Sequence, residues 1–164
     1  MSNRAIVVSM LLAVAAFACA KKTKAVASES ASSEDFECKK RHAEYTLKGS
    51  FAAPELGVIL DCGDRGPSIT RWVLRDSQGN EKKDARSISG SAFDAAWSKI
   101  SAAGWEQLGD CKNPAAKDDD PVYLFSVSDD TNSVDLMCQG TKIPFPYDAL
   151  FEELDELART ELNR

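Results

Sequence analysis

The cysteines are the residues of this sequence with the most definite chemistry. Four of the five, Cys38, Cys62, Cys111 and Cys138, lie far apart in the C-terminal part of the chain. Zinc sites usually take ligands from close pairs such as Cys-x-x-Cys, which the sequence lacks, so we expect no metal centre. In an oxidising compartment, an even set of four predicts two disulfides. Three pairings are open, and we favour Cys38–Cys62 with Cys111–Cys138 because each joins segments within one half of the domain.

Acid–base catalysis through a histidine would have to use His42, the single histidine of the chain. No Gly-x-Ser-x-Gly motif accompanies it to supply an activated nucleophile. The basic neighbours in Lys40-Arg41-His42 should lower its basicity, so we expect a solvated surface histidine. We therefore predict no catalytic residue. The sequence also lacks a glycine-rich phosphate loop, since Gly63-Asp64-Arg65-Gly66 has no P-loop lysine or serine, and we predict no cofactor.

Carboxylates cluster at Asp118–Asp120 and again at Asp129, Asp130 and Asp135. Several carboxylates on a turn could coordinate Ca²⁺, but the ligand spacing and the terminal glutamate of an EF-hand loop are missing. We expect solvated loop acids or turns capped by side chains, with no bound metal. A glycosidase-like carboxylate pair stays an alternative, although nothing singles out two of the 26 acidic residues.

The three tryptophans could form an aromatic surface that stacks on the sugars of a cell wall. Trp97 falls on an apolar helical stripe and is expected in the core. Trp72 and Trp105 are also expected in the core, with a sugar platform as their alternative.

The N-terminus has the pattern of an export signal. Arg4 gives a positive start, Ala5–Ala18 is apolar but for Ser9, and Ala16-Phe17-Ala18 precedes Cys19. A membrane-spanning helix is not expected here, because the apolar run is shorter than the roughly 20 residues that a span needs.

This segment resembles the signals of bacterial lipoproteins, in which a small residue precedes an acylated cysteine. The resemblance covers only the start of the chain and implies removal of residues 1–18, a diacylglyceryl group on the Cys19 thiol and palmitate in the anchor. Ala20 implies sorting to the outer membrane, with the periplasmic side of the inner membrane as the alternative. Ordinary signal peptidase cleavage also stays open, because Ala18-Cys19-Ala20 fits the Ala-x-Ala pattern and would give a free secreted or periplasmic chain.

Composition divides the remaining chain into a tether and a domain. Residues 19–35 are small, polar and free of aromatic side chains, and we expect a flexible tether beginning at the lipidated Cys19. Residues 36–164 hold all the tryptophans and suffice for one core. The formal net charge of −6 disfavours nucleic acid as a partner, because nucleic-acid binding needs basic patches. Lys21-Lys22-Thr23-Lys24 would meet lipid headgroups, or would be solvated at the start of the tether.

Periodicity predicts an α+β fold with an antiparallel sheet of about four to six strands and two amphipathic helices packed on one face. The first helix should start near Ser91, with Asp94 completing a capping box, and should end at Gly104. The second should cover Asp148–Leu162. The predicted strand regions are 36–47, 58–62, 70–76, 122–127 and 134–138, and 81–86 is predicted as a charged loop or edge strand.

These features favour a non-enzymatic envelope lipoprotein, a binding or scaffolding module held to a membrane through Cys19 and facing an envelope protein or the cell wall. One alternative is a small exported hydrolase that depends on carboxylates. Another is a secreted inhibitor-like domain whose acidic surface binds a basic protein.

Overall fold

The computed structural model describes residues 36–49, 54–74, 80–111 and 113–164. The predicted signal peptide, the Cys19 anchor and the tether lie outside these residues. Within the described ranges, no helix has the length and apolar character needed to cross a bilayer.

The described residues contain a six-stranded sheet in which every neighbouring pair of strands is antiparallel. The spatial order is β4-β3-β2-β1-β5-β6, so the fifth strand returns beside the first. This confirms the α+β class and places the strand count at the top of the expected range. The strands are β1 His42–Lys48, β2 Leu56–Gly63, β3 Gly66–Leu74, β4 Glu81–Ser87, β5 Val122–Ser128 and β6 Ser133–Gln139.

Residues 81–86 were predicted to form either a charged loop or an edge strand. The structure shows the edge strand, β4. All seven of its residues are exposed, and five of them are charged, three as cations and two as carboxylates. Ion pairs of 3.2 Å join Lys82 to Asp84 and Lys83 to Glu81. Charged side chains on an edge strand discourage pairing with further strands, so β4 ends the sheet.

The two α-helices are α1, Gly90–Ala102, and α2, Tyr147–Leu162, and a short 3-10 helix covers Trp105–Gln107. The predicted capping box at Ser91 is wrong, because the N-cap is Ser89, whose Oγ accepts a hydrogen bond from the Ala92 amide at 3.1 Å. Gly104 closes the end of α1 in the left-handed conformation, as predicted, with φ 72°.

Helix α2 packs on the sheet face that carries Tyr45. The Tyr45 hydroxyl and Arg71 Nη2 both donate hydrogen bonds to Asp155 Oδ1, at 3.2 and 2.9 Å. The Phe151 ring lies 4.8 Å from the Tyr45 ring, centroid to centroid. Helix α1 contacts α2, partly through a 2.9 Å ion pair, and also contacts β3. That both helices cover one face stays a prediction.

Two disulfides join the pairs that the sequence favoured. Cys38–Cys62 ties the segment before β1 to β2, with the Cα atoms 5.1 Å apart. Cys111–Cys138 ties the loop after α1 to β6, with the Cα atoms 4.5 Å apart. Such covalent links are typical of chains that reach an oxidising compartment, which supports the expectation of export.

Candidate binding face

The sheet face opposite α2, which we call the outer face, carries the residues that alternate with the buried ones. Side chains of successive strand residues point to opposite faces, and Tyr45 points toward α2. Strand pairing aligns the outer residues in rows that run across the sheet. One row, which we call the apolar row, carries the apolar side chains of Trp72, Leu124 and Met137, and it also includes Lys83, Gly57 and Thr46.

Trp72 lies over Gly57, its partner in the strand register. A β-carbon added at Gly57 would meet the indole at 2.6 Å and the Tyr45 carbonyl oxygen at 2.6 Å. Only glycine allows this close approach, so the row depends on glycine at position 57. The core prediction for Trp72 is wrong, because its position next to Arg71 turns the indole to the outer face, where it is half-buried. Trp97 and Trp105 are buried in the core, as predicted.

At the β6 end of the outer face lies a shallow groove of about 470 Å³, which we call the outer groove. Leu124 and Met137 are register partners in its floor, and Met137 is 47 % exposed. Three carboxyl groups line the groove, from Glu44, Asp110 and Asp135. No lysine or arginine is among its described lining residues. The groove therefore combines an apolar floor with negative charge.

The Asp110 carboxylate is held in place at the rim of the groove. Its Oδ1 accepts a hydrogen bond from the Met137 amide at 3.0 Å. The next residue, Cys111, donates its amide to the Met137 carbonyl oxygen at 2.8 Å and is fixed by the disulfide to Cys138. These contacts cover the backbone of β6 at Met137.

His42 lies on the outer face between two carboxylates. One belongs to Asp61, its register partner on β2, and the other to Glu44, two residues along β1. Its Nδ1 is 3.2 Å from Asp61 Oδ1, and its Nε2 is 3.6 Å from Glu44 Oε2. Glu44, and then Asp61, raise the pKa of His42 against the opposing effect of burial. With both ring nitrogens facing carboxylates, the protonated form of the imidazole is favoured.

The expected low basicity of His42 is therefore wrong, and its exposure to solvent is only partial. His42 is half-buried, and its pKa is raised rather than lowered. The adjacent Arg41 does not act on it as expected, because the Arg41 guanidinium turns away to Asp94, at 2.8 Å, and to the aromatic rings of α1. Sequence neighbours in a strand point to opposite faces, so the cross-strand neighbour Asp61 matters more than Arg41.

We expect the stability of the domain to fall as His42 loses its proton. A raised folded pKa means that the stabilisation is fully present below the unfolded value of about 6.5 and is lost as pH rises through the folded value. Urea denaturation of the native chain and of His42→Gln, between about pH 6 and pH 9, should show a difference that shrinks with pH, by up to about 1 kcal/mol. A constant difference across this range would contradict the assignment.

The acidic turn between β5 and β6 is capped by the side chain of Asp129. Capping by side chains was one of the two expectations for the acidic clusters. Asp129 Oδ1 accepts hydrogen bonds from the Thr131 amide at 2.7 Å, the Thr131 hydroxyl at 2.8 Å and the Asn132 amide at 2.8 Å. These bonds, led by that of the Thr131 amide, lower the pKa of Asp129. Among the described residues, no group of three or more histidine, cysteine or acidic side chains is arranged to hold a metal ion.

The sequence missed the outer groove, although part of its signal was present. Period-two alternation places Glu44 and Thr46 on one face of β1. Nothing in the sequence pairs Leu124 with Met137, or brings Asp110 beside β6, because strand register and the loop crossing are set by the whole fold.

Comparison with protein-family models and with curated proteins finds no significant match to this chain. The function must therefore be argued from the outer face itself.

Proposed function

We propose that this protein is an exported binding module of the bacterial envelope, anchored by a lipid on Cys19 and contacting its partner through the outer face. The module is non-enzymatic, and the tether of residues 19–35 separates the domain from the membrane. The two disulfides support the exported location, because they persist where thiols are oxidised.

The observation that carries the binding role is the apolar row on the outer face. Trp72 and Leu124 are half-buried there, and Met137 is one of the two large apolar residues, among those described, that are exposed. Apolar side chains left in water are unfavourable until a partner covers them. The row spans all the strands of the sheet, so it offers a broad surface rather than an enclosed pocket.

In this proposal α1 and α2 together cover the opposite face of the sheet. The ion pair from Lys99 to Glu153 joins the two helices, and Phe93 and Leu154 are both buried in the common core. This packing leaves the outer face as the side of the sheet that is free to bind.

Anchoring through Cys19 makes a direct prediction for the mature chain. We expect mass spectrometry to find Cys19 as the first residue, carrying a diacylglyceryl group and palmitate, and fractionation to place the protein with membranes. Cys19→Ser should remove the lipid and move the protein to the soluble fraction, with its melting temperature unchanged. An unmodified mature chain, such as one that begins at Lys21 after ordinary cleavage behind Ala18-Cys19-Ala20, would contradict the lipid anchor.

The binding role of the outer face is tested by photocrosslinking in living cells. Benzoylphenylalanine in place of Met137 or Trp72 should crosslink one defined envelope component, whereas the same probe in place of the exposed loop residue Asp118 should not. Equal labelling from the loop position and from both outer-face positions would overturn the proposed role.

A further inference from the structure

We propose that the outer groove binds a basic protein segment in which an apolar side chain is flanked by lysine or arginine. This inference rests on the proposed binding role of the outer face and adds the chemistry of the partner. The apolar floor selects the apolar side chain, and the carboxylates of the rim select its basic neighbours.

The floor of the outer groove suits a flexible apolar side chain. Met137 and Leu124 lie opposite each other in the β5–β6 register, and Thr46 continues the row on β1. The unbranched thioether side chain of methionine adapts to partners of different shape, which is why methionine is frequent on peptide-binding surfaces. Covering Met137 would remove the apolar surface that this side chain leaves in water.

The rim supplies negative charge, most of which is not neutralised within the described structure. Neither Asp110 nor Asp135 forms an ion pair with a described residue. The only described basic group that faces Glu44 is the His42 ring. Glu44 and Asp135 occupy one row, separated by Ser126, so their α-carbons lie two strand spacings, about 10 Å, apart. A segment with two cations at a comparable separation would meet both carboxylates.

The edge of the sheet limits how the segment can bind. The backbone of β6 at Met137 is already hydrogen-bonded to Asp110 and Cys111. A partner strand therefore cannot add to the sheet along this stretch. The segment must lie across the outer face and bind through side chains, so affinity should depend on groove residues and on salt.

Short labelled peptides test this chemistry with the mature chain by fluorescence anisotropy. We expect a peptide of alternating lysine and leucine to bind, and a peptide of alternating lysine and serine to bind about tenfold more weakly because it lacks the apolar contact. A peptide of alternating glutamate and leucine should not bind. High salt should weaken the lysine–leucine complex.

Variants of the groove separate its two features. Asp135→Lys should weaken the lysine–leucine peptide by about tenfold, and Met137→Gln by about fivefold. Asp118→Lys is the matched control, since it makes the same charge change in an exposed loop and should leave the affinity nearly unchanged. Asp135 and Met137 are both exposed, so the melting temperatures of these variants should stay close to that of the native chain.

Three results would overturn the proposal. One is equal binding of the lysine–leucine and glutamate–leucine peptides, and another is an equal loss from Asp135→Lys and Asp118→Lys. The third is binding to vesicles of phosphatidylglycerol and phosphatidylcholine that Met137→Gln abolishes, which would assign the groove to a membrane surface. If the peptides fail but position 137 still crosslinks an envelope component, the chemistry proposed for the groove is wrong and the binding role of the outer face survives.

Discussion

Replacing both Cys38 and Cys62 with alanine should lower the free energy of unfolding by about 3 to 4 kcal/mol. The bridge spans a sequence separation of 24 and closes a loop that contains β1 and most of β2. Opening that loop gives the unfolded chain more conformations, which is the main source of the expected loss. Urea denaturation followed by circular dichroism measures the change, with the midpoint and the slope compared between variants.

The matched control is Cys19→Ala, which removes a sulfur outside the domain and should not alter unfolding. The Cys111→Ala and Cys138→Ala pair should cost a similar amount, because its sequence separation of 27 is nearly the same. Reduction of the native chain opens both bridges and should give a loss close to that of the two pairs combined. Unchanged unfolding in either double variant would mean that the bridge does not constrain the exported domain.

Local patterns in the sequence were sufficient where one segment decides its own structure. The apolar stripe of Phe93, Ala96, Trp97 and Ile100 predicted the buried face of α1, and all four residues are buried. The β5–β6 hairpin followed from a buried strand segment and an alternating one joined by turn residues, one of which, Asp129, caps the turn. Period and turn chemistry are local, so these elements could be predicted from one chain.

Predictions failed where contacts between distant segments decide the outcome. The N-cap of α1 is Ser89 rather than the predicted Ser91. Both serines precede the apolar stripe, and only the backbone conformation in the folded chain selects between them. The sequence could not give the basicity of His42, since its partner Asp61 lies on the neighbouring strand, 19 residues along the chain. The outer groove depends on register between β1, β5 and β6, and so it emerged only from the structure.

Phe93→Ala should lower the free energy of unfolding by about 3 to 5 kcal/mol, the range for a fully buried phenylalanine. The Phe93 ring fills the space between two other rings. Its centroid lies 5.8 Å from that of Phe36, in an edge-on arrangement, and 6.1 Å from that of Trp97, on which it stacks. The Phe93 ring also makes a cation–π contact with Arg41, whose guanidinium carbon lies 4.7 Å from the centroid of the ring. Urea denaturation of the variant gives the loss, and Phe125→Ala, which removes an equally buried ring, is the matched control.

The cavities that Phe93→Ala and Phe125→Ala would leave differ, because the Arg41 guanidinium lies over the Phe93 ring. Its Nε is buried without a hydrogen-bond partner among the described residues, and its Nη1 donates to Asp94 at 2.8 Å, so the aromatic rings provide much of the environment of the charge. Deleting the Phe93 ring should leave this charge poorly accommodated, at a cost beyond that of the cavity. In a double-mutant cycle with Arg41→Met, we expect a coupling of about 1 kcal/mol for Phe93→Ala and none for Phe125→Ala. Additive losses in both cycles would show that the Phe93 ring acts only by filling space.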